Sequence, residues 1–449
     1  MYRSLFGLII LLLFSCETKK ELPLSAETAL QHYLENGDDK YHWVLKESYP
    51  IEDKSVTAYD LILTSQQWRE HTWKHQLTVL VPENLTKSGS LLFITGGSNK
   101  DTEPNFKKKD DDTTLGMAMI AEKNQAIVSI IRQTPNQPLY DDLVEDELIS
   151  FTLHNFKNDG DYTWPLLFPM VKTAVRAMDA VQEFAKTDLD VEVDQFVVSG
   201  GSKRGWTTWL TGAMDSRVNA IAPMVIDVLN MPVSLDYQIE VWKDYSIQIQ
   251  DYVDLEIPQT SRTEKGAAIT TMVDPYSYRQ KLTMPKLIFI GTNDEYWPVD
   301  AIKNYLDDIP GKNLIEYVPN AGHGLGDRVQ ALQALSSFLA ITLNGKEYPT
   351  CDWQIEENGK EVMISTTTSS DKLVDALIWT ADSEDRDFRD EEFGSKSLNA
   401  KQLRRIDTTV SFPESGYRAF YIDLKYVDPI GEEYVVSTRM FVADSTRIL

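Results

Sequence analysis

Cysteine is nearly absent: the 449 residues contain two, Cys16 and Cys351. With Cys16 in an N-terminal export segment, Cys351 stands alone, which excludes an intrachain disulfide framework. Basic side chains are also scarce, with 44 Lys and Arg against 69 Asp and Glu, a formal net charge of -25. That balance excludes nucleic acid as a partner, because attraction to phosphate needs clustered Lys and Arg. Past the N-terminus no apolar run is long enough to cross a bilayer, and no internal repeat or low-complexity segment stands out. Histidine numbers six. His71 and His75 have metal-like spacing only on a helix, yet their segment reads as strand or loop with no supporting carboxylate motif. No metal and no cofactor is expected.

What is present begins with an export signal. Arg3 is its charged start, Leu5 to Phe14 its apolar segment, and Leu13-Phe14-Ser15-Cys16 its cleavage region. Cys16 resembles the acylated cysteine of a bacterial lipoprotein, with residues 17–24 as a tether; the alternative is an ordinary secretory signal. The expectation is an exported protein of the cell envelope, anchored to a membrane through Cys16 on the periplasmic or outer-membrane side.

A hydrophobic share of 42% and a charged share of 25% are those of a globular chain, and the length allows two domains. Strand-like runs (Leu91 to Thr95, Ala126 to Ile131, Phe196 to Ser199, Val218 to Val225, Leu287 to Ile290, Leu314 to Val318) alternate with helical patterns, such as the apolar face of Phe168 to Lys186. This is the grammar of an α/β fold with a mostly parallel sheet, assigned to residues 25–345. Between Met231 and Arg279 the alternation breaks, and a helical cap over the site is expected there. Residues 346–449 carry several short strand runs without helix pattern, read as an antiparallel β-sandwich.

The chemistry gathers at three strand ends. Gly200-Gly201-Ser202-Lys203-Arg204-Gly205 lies between a strand and a helix, as in the G-x-S-x-G nucleophile elbow, but its second glycine is displaced by one position. Asp294 follows the strand ending in Gly291-Thr292-Asn293, and His323 follows another strand in Asn320-Ala321-Gly322-His323-Gly324. The order Ser202, Asp294, His323 is that of α/β-hydrolases and of neither common serine-protease fold. Asp227 is an alternative acid, and Asp300 is read as a helix cap. The backbone N–H groups of Lys203 and of the Gly96-Gly97 loop are candidates for an oxyanion site, with Gly97 the residue singled out. Lys203 and Arg204 either bring positive charge to substrate or serve in structural salt bridges.

Beyond these sites, Leu63-Thr-Ser-Gln-Gln-Trp68, Trp164-Pro-Leu-Leu-Phe-Pro-Met-Val-Lys-Thr-Ala-Val-Arg-Ala-Met-Asp179, Ser199-Gly-Gly-Ser-Lys-Arg-Gly-Trp206 and Asp385-Arg-Asp-Phe-Arg389 carry a resemblance covering nearly all of the chain after the signal. With these strings the sequence resembles the PhoPQ-activated pathogenicity-related family of bacterial exported proteins. The resemblance implies an α/β-hydrolase core and leaves the substrate open. The function expected is acyl transfer to Ser202 on a small-molecule ester or a peptide; the competing expectation is a non-catalytic exported protein that kept the fold for binding or signalling.

Overall fold

Apolar runs without alternation need cover on both faces, and the strands that carry them lie in the middle of one large mixed sheet. The computed structural model describes residues 23–449; the export signal, Cys16 and most of the tether lie outside the described residues. The chain enters through α1 (Ala29–Leu34) and three antiparallel strands, β1 (His42–Pro50), β2 (Val56–Trp68) and β3 (His71–Pro82). Then come β4 (Gly89–Ile94), a small ribbon of β5 (Asn99–Lys100) and β6 (Glu103–Pro104), α2 (Asp112–Asn124) and β7 (Ile127–Ile131). Helices α3 (Glu145–Asp159) and α4 (Leu167–Asp188) lead to β8 (Gln195–Gly201), α5 (Lys203–Met214) and β9 (Val218–Met224). Strands β10 (Lys286–Gly291) and β11 (Asn313–Val318) complete a parallel block ordered β7-β4-β8-β9-β10-β11.

Adjacent residues on these strands point to opposite faces and build two cores. Phe196 and Val198 pack with Met170 and Val171 of α4 and Trp209 of α5. Val197, between them, joins Met117 of α2 and Phe338 of α9 (Val329–Leu343) on the other side.

The break in alternation is helical: α6 (Met231–Trp242), α7 (Gln250–Val253) and α8 (Glu264–Val273) follow β9, then a 3-10 turn over Pro275–Lys281. Sequence patterning expects a helix from Pro298 to Leu306, but that segment forms two short 3-10 turns, Ala301–Asn304 and Leu306–Asp308. Asp300 caps neither with its side chain; instead it accepts hydrogen bonds from the Tyr237 hydroxyl (2.8 Å) and the Lys303 ammonium (2.8 Å).

After α9 the strands are β12 (Cys351–Asn358), β13 (Glu361–Thr368), β14 (Leu373–Ser383), β15 (Gly394–Ser397), β16 (Arg405–Ser411), β17 (Tyr417–Val427), β18 (Glu433–Ser437) and β19 (Phe441–Ala443). Strands β12, β13 and β16 form a separate sheet whose Val362, Ile364 and Val410 pack on Phe420, Ile422 and Leu424 of β17. The second layer does not stand apart. Strand β18 pairs antiparallel with β11 (Ile315 opposite Ser437), so β14, β15, β17, β18 and β19 extend the central sheet to fourteen strands.

That seam buries Asp423, which accepts hydrogen bonds from Ser437 Oγ (2.6 Å) and Trp379 Nε1 (2.8 Å). Burial pushes its carboxyl up to about 7, with those two donors pulling the other way. A raised acid helps the folded state fully below its unfolded pKa of about 4 and loses that contribution as pH rises through the folded value. Asp423→Asn is therefore expected to be more stable than the parent at pH 8, by on the order of 2 kcal/mol, with no advantage at pH 4. Chemical denaturation at the two pH values checks this, and equal offsets at both would contradict it.

Candidate active site

Ser202 sits where β8 turns into α5, with φ 56° and ψ -125°. That is a strained conformation for a side-chain-bearing residue, costing about 1–3 kcal/mol, and one held by its surroundings. Its N–H is tied to the Met224 carbonyl (2.8 Å) on the neighbouring strand. Close approach explains the glycines beside it. A Cβ on Gly200 would lie 2.9 Å from the carbonyls of Ile94 and Arg204, and one on Gly205 would lie 2.7 Å from the Met224 carbonyl. Gly201, by contrast, faces open space. The displaced second glycine thus meets a real need, because Gly205 is where α5 crosses the strand ends. Gly205→Ala is expected to cost about 1–3 kcal/mol of stability and to misplace Ser202, while Gly201→Ala stays within about 0.5 kcal/mol of the parent. Thermal melts of the two variants check the contrast.

Asp294 and His323 come together from the ends of β10 and β11. The His323 Nδ1–H donates to both Asp294 oxygens, at 2.9 and 3.0 Å. Asp294 is buried, 3% exposed, and also accepts the Tyr296 N–H at 2.8 Å. Burial raises its pKa, and the hydrogen bond and charge of His323 pull it back part of the way. His323 Nε2 is buried without a hydrogen-bond partner. His323 and Ser202 line the same cleft, about 680 Å³, together with Thr95, Gly96 and Arg328. The acid loop and histidine loop fit tightly: a Cβ on Gly291 would lie 2.4 Å from the Ala321 carbonyl.

Asp227, the alternative acid, is buried beside Tyr305, whose hydroxyl donates to it at 2.6 Å, and has no hydrogen bond to His323. Burial, with smaller pushes from Asp294 and Asp300, outweighs the Tyr305 hydrogen bond and moves its carboxyl up to about 8.

The glycine loop and the two cations differ from expectation. Gly96, not Gly97, lines the cleft; Gly97 has φ 148° and lies against Gln133, where a Cβ would come within 2.9 Å of Nε2. Arg204 is a strut. Its Nη1 and Nη2 each donate to Glu145 at 2.7 Å and its Nε to the Thr134 carbonyl at 2.6 Å, which leaves no free fork for a substrate carboxylate. Lys203 is buried between Glu145 (3.1 Å) and Asp146 (3.0 Å). Burial acts upward on Glu145, but the Arg204 hydrogen bonds and the Arg204 and Lys203 charges win and hold it at about 2. The salt-bridge alternative is the one the structure takes. Lys203 is also the first residue of α5, so its N–H has no acceptor within the helix.

Several supporting residues carry no signal that spacing alone reveals. Tyr296 stacks on the His323 ring, centroids 4.0 Å apart, and Glu295 accepts the His323 backbone N–H at 2.8 Å. Asn293 donates to the carbonyls of Phe388 and Glu391, and Asn320 exchanges two hydrogen bonds with Phe393, so the loop after β14 braces both site loops. Arg386 from the same loop reaches Tyr237 and Glu240 on α6. His75 is a core residue, bonded to Ser65 Oγ and the Arg132 carbonyl.

A sequence profile described as PhoPQ-activated pathogenicity-related protein matches residues 30–389. The chain belongs to this family. Asp385–Arg389, in the loop just described, closes the matched segment. Among curated proteins, the autocrine proliferation repressor protein A of Dictyostelium discoideum is 30% identical over 93% of this chain and 90% of its own length. Among solved structures, acetyl xylan esterase 1 of a Thermoanaerobacterium species covers 68% of this family member at 15% identity, with 92% of its own chain and a TM-score of 0.48. An acetyl xylan esterase of a Paenibacillus species covers 70% at 14% identity, with 92% of its own chain and a TM-score of 0.49.

Proposed function

We propose that this protein is a serine hydrolase that transfers an acyl group from an ester or amide to Ser202 and then to water. The observation that carries this reading is the imidazole of His323. One ring nitrogen is held by a buried carboxylate, and the other, unpartnered, belongs to the same cleft as a serine in a strained elbow. A serine hydroxyl is a weak nucleophile until a base beside it accepts its proton.

In the proposed reaction Ser202 Oγ attacks the substrate carbonyl carbon while its proton passes to His323 Nε2. The carbonyl oxygen becomes an oxyanion, and the Lys203 N–H with one from the Gly96 stretch stabilises it, each donor typically worth about 3 kcal/mol. The oxyanion collapses, the bond to the leaving oxygen or nitrogen breaks, and His323 returns the proton to that atom. A water molecule then gives a proton to His323 as its oxygen bonds to the acyl carbon, and His323 passes that proton to Ser202 Oγ as the acyl–Oγ bond breaks, which releases the acid and restores Ser202. Asp294 keeps the imidazole in the tautomer that leaves Nε2 able to accept, and balances the imidazolium when it forms.

The test is covalent labelling with a fluorophosphonate probe. Label is expected on Ser202 in the parent and absent from Ser202→Ala and His323→Ala. Parent protein that melts normally but takes no label would favour a binding or signalling role for the same fold.

A further inference from the structure

Ser202 lies at the junction of two spaces of different character. One is the open cleft of about 680 Å³ that includes His323 and polar side chains such as Asp112, Thr113 and Asp327. The other is a smaller cavity of about 90 Å³ under the cap, which His323 does not line. Its wall is almost wholly carbon: Trp206 from α5, Val228 after β9, Leu235 from α6, Ile269 and Val273 from α8, and Trp297 beyond the acid. At its polar edge, Lys203 and Asp146 are already matched, to each other and, for Asp146, to the Tyr252 hydroxyl at 2.9 Å. Nothing charged is left there to meet a charged substrate group.

Two constraints decide which part of a substrate enters which space. The leaving atom must receive its proton from His323 Nε2, so the leaving group belongs on the side that His323 lines, in the polar cleft. The acyl group, on the other side of the attacked carbon, is then directed under the cap. Size follows from volume: a dry cavity of about 150 Å³ holds benzene, so about 90 Å³ takes roughly four carbons. We infer that the cap cavity is the acyl pocket of the proposed reaction and selects a short, uncharged apolar acyl group of about four carbons, above acetyl and below long chains. This rests on the acyl-transfer reading for its chemistry, though not for the shape of the pocket.

The experiment is a series of p-nitrophenyl esters from acetate through butyrate to octanoate. Each buried methylene is worth about fourfold, so butyrate is expected to exceed acetate in kcat/KM by about 15-fold, with octanoate below butyrate. Two cap variants move the optimum in opposite directions. Ile269→Trp fills the pocket and should bring the butyrate-to-acetate ratio to about one, while Leu235→Ala enlarges it and should shift the optimum toward hexanoate or longer. General damage to the fold would lower all esters together and leave the ratios in place. A second arm uses Ser202→Ala, which cannot acylate: butyramide should quench tryptophan fluorescence at about one-tenth the concentration that acetamide requires. Turnover with acetate equal to or above butyrate, or ratios that both cap variants leave unchanged, would overturn the acyl pocket while the hydrolase stands. Butyramide selectivity in Ser202→Ala, with no ester turned over by the parent, would keep the pocket and sink the hydrolase.

Discussion

Ser202→Ala is expected to lower kcat/KM on any ester the protein turns over by about 10^6-fold, His323→Ala by a comparable factor, and the double variant by little more. The expectation follows from how the pair divides one step. Without the hydroxyl there is no nucleophile for His323 to activate, and without the imidazole the hydroxyl keeps its proton at neutral pH. Removing either removes the same chemistry, so the losses do not multiply. What remains is set by the polarised N–H at the start of α5 and by substrate binding, typically about 10^3- to 10^4-fold over water. Initial rates for the three variants, with melting temperatures to show that they are folded, are the measurement. A His323→Ala loss of only about tenfold, beside a full loss for Ser202→Ala, would mean that another base serves the serine.

The residues in that pair were legible because each follows a strand whose burial is written in its composition. Residues 196–200 of β8, before Ser202, and 314–318 of β11, before His323, are buried without a break, and runs of that kind signal a parallel strand covered on both faces. Chemistry at the carboxyl ends of such strands is where an open α/β sheet places its sites. Strand β1 was not legible. It is an edge strand with Val44 and Leu45 exposed, so it shows no alternation to read. Helix α3 carries no such signal, because it opens on Glu145-Asp146-Glu147, which looks like a solvated loop; two of those carboxylates are in fact the partners of Lys203 and Arg204. Nor could any local pattern show that β18 would pair with β11, since that register joins segments more than a hundred residues apart. The site's braces have the same character. Asn293 and Asn320 stand beside the acid and the histidine in the sequence, but the carbonyls they hold lie near residue 390.

Asp294→Asn should cost about 10^4-fold in kcat, whereas Asp227→Asn should stay within about tenfold of the parent. The two acids are both buried, both at strand ends, and Asp294 is close enough to push the Asp227 pKa up, so the contrast turns on contact rather than on neighbourhood. An asparagine at position 294 can still accept the Tyr296 N–H with its carbonyl oxygen. Its amide then faces His323 Nδ1 and donates where the carboxylate accepted, which drives the ring proton onto Nε2 and blocks the nitrogen that takes the serine proton in the proposed reaction. At position 227 the carboxyl is held up to about 8 mainly by burial and is already protonated at neutral pH, so an amide replaces an uncharged group that still accepts from Tyr305. The stability readout checks the burial of Asp227 itself: Asp227→Asn should gain on the parent as pH rises from about 4 to 8, because the variant lacks the carboxyl at 227 that resists ionisation across that range. Equal activity losses in the two variants would mean that the acid nearest the base in the fold is not the one that orients it, and that either carboxylate serves only to hold the strand ends together.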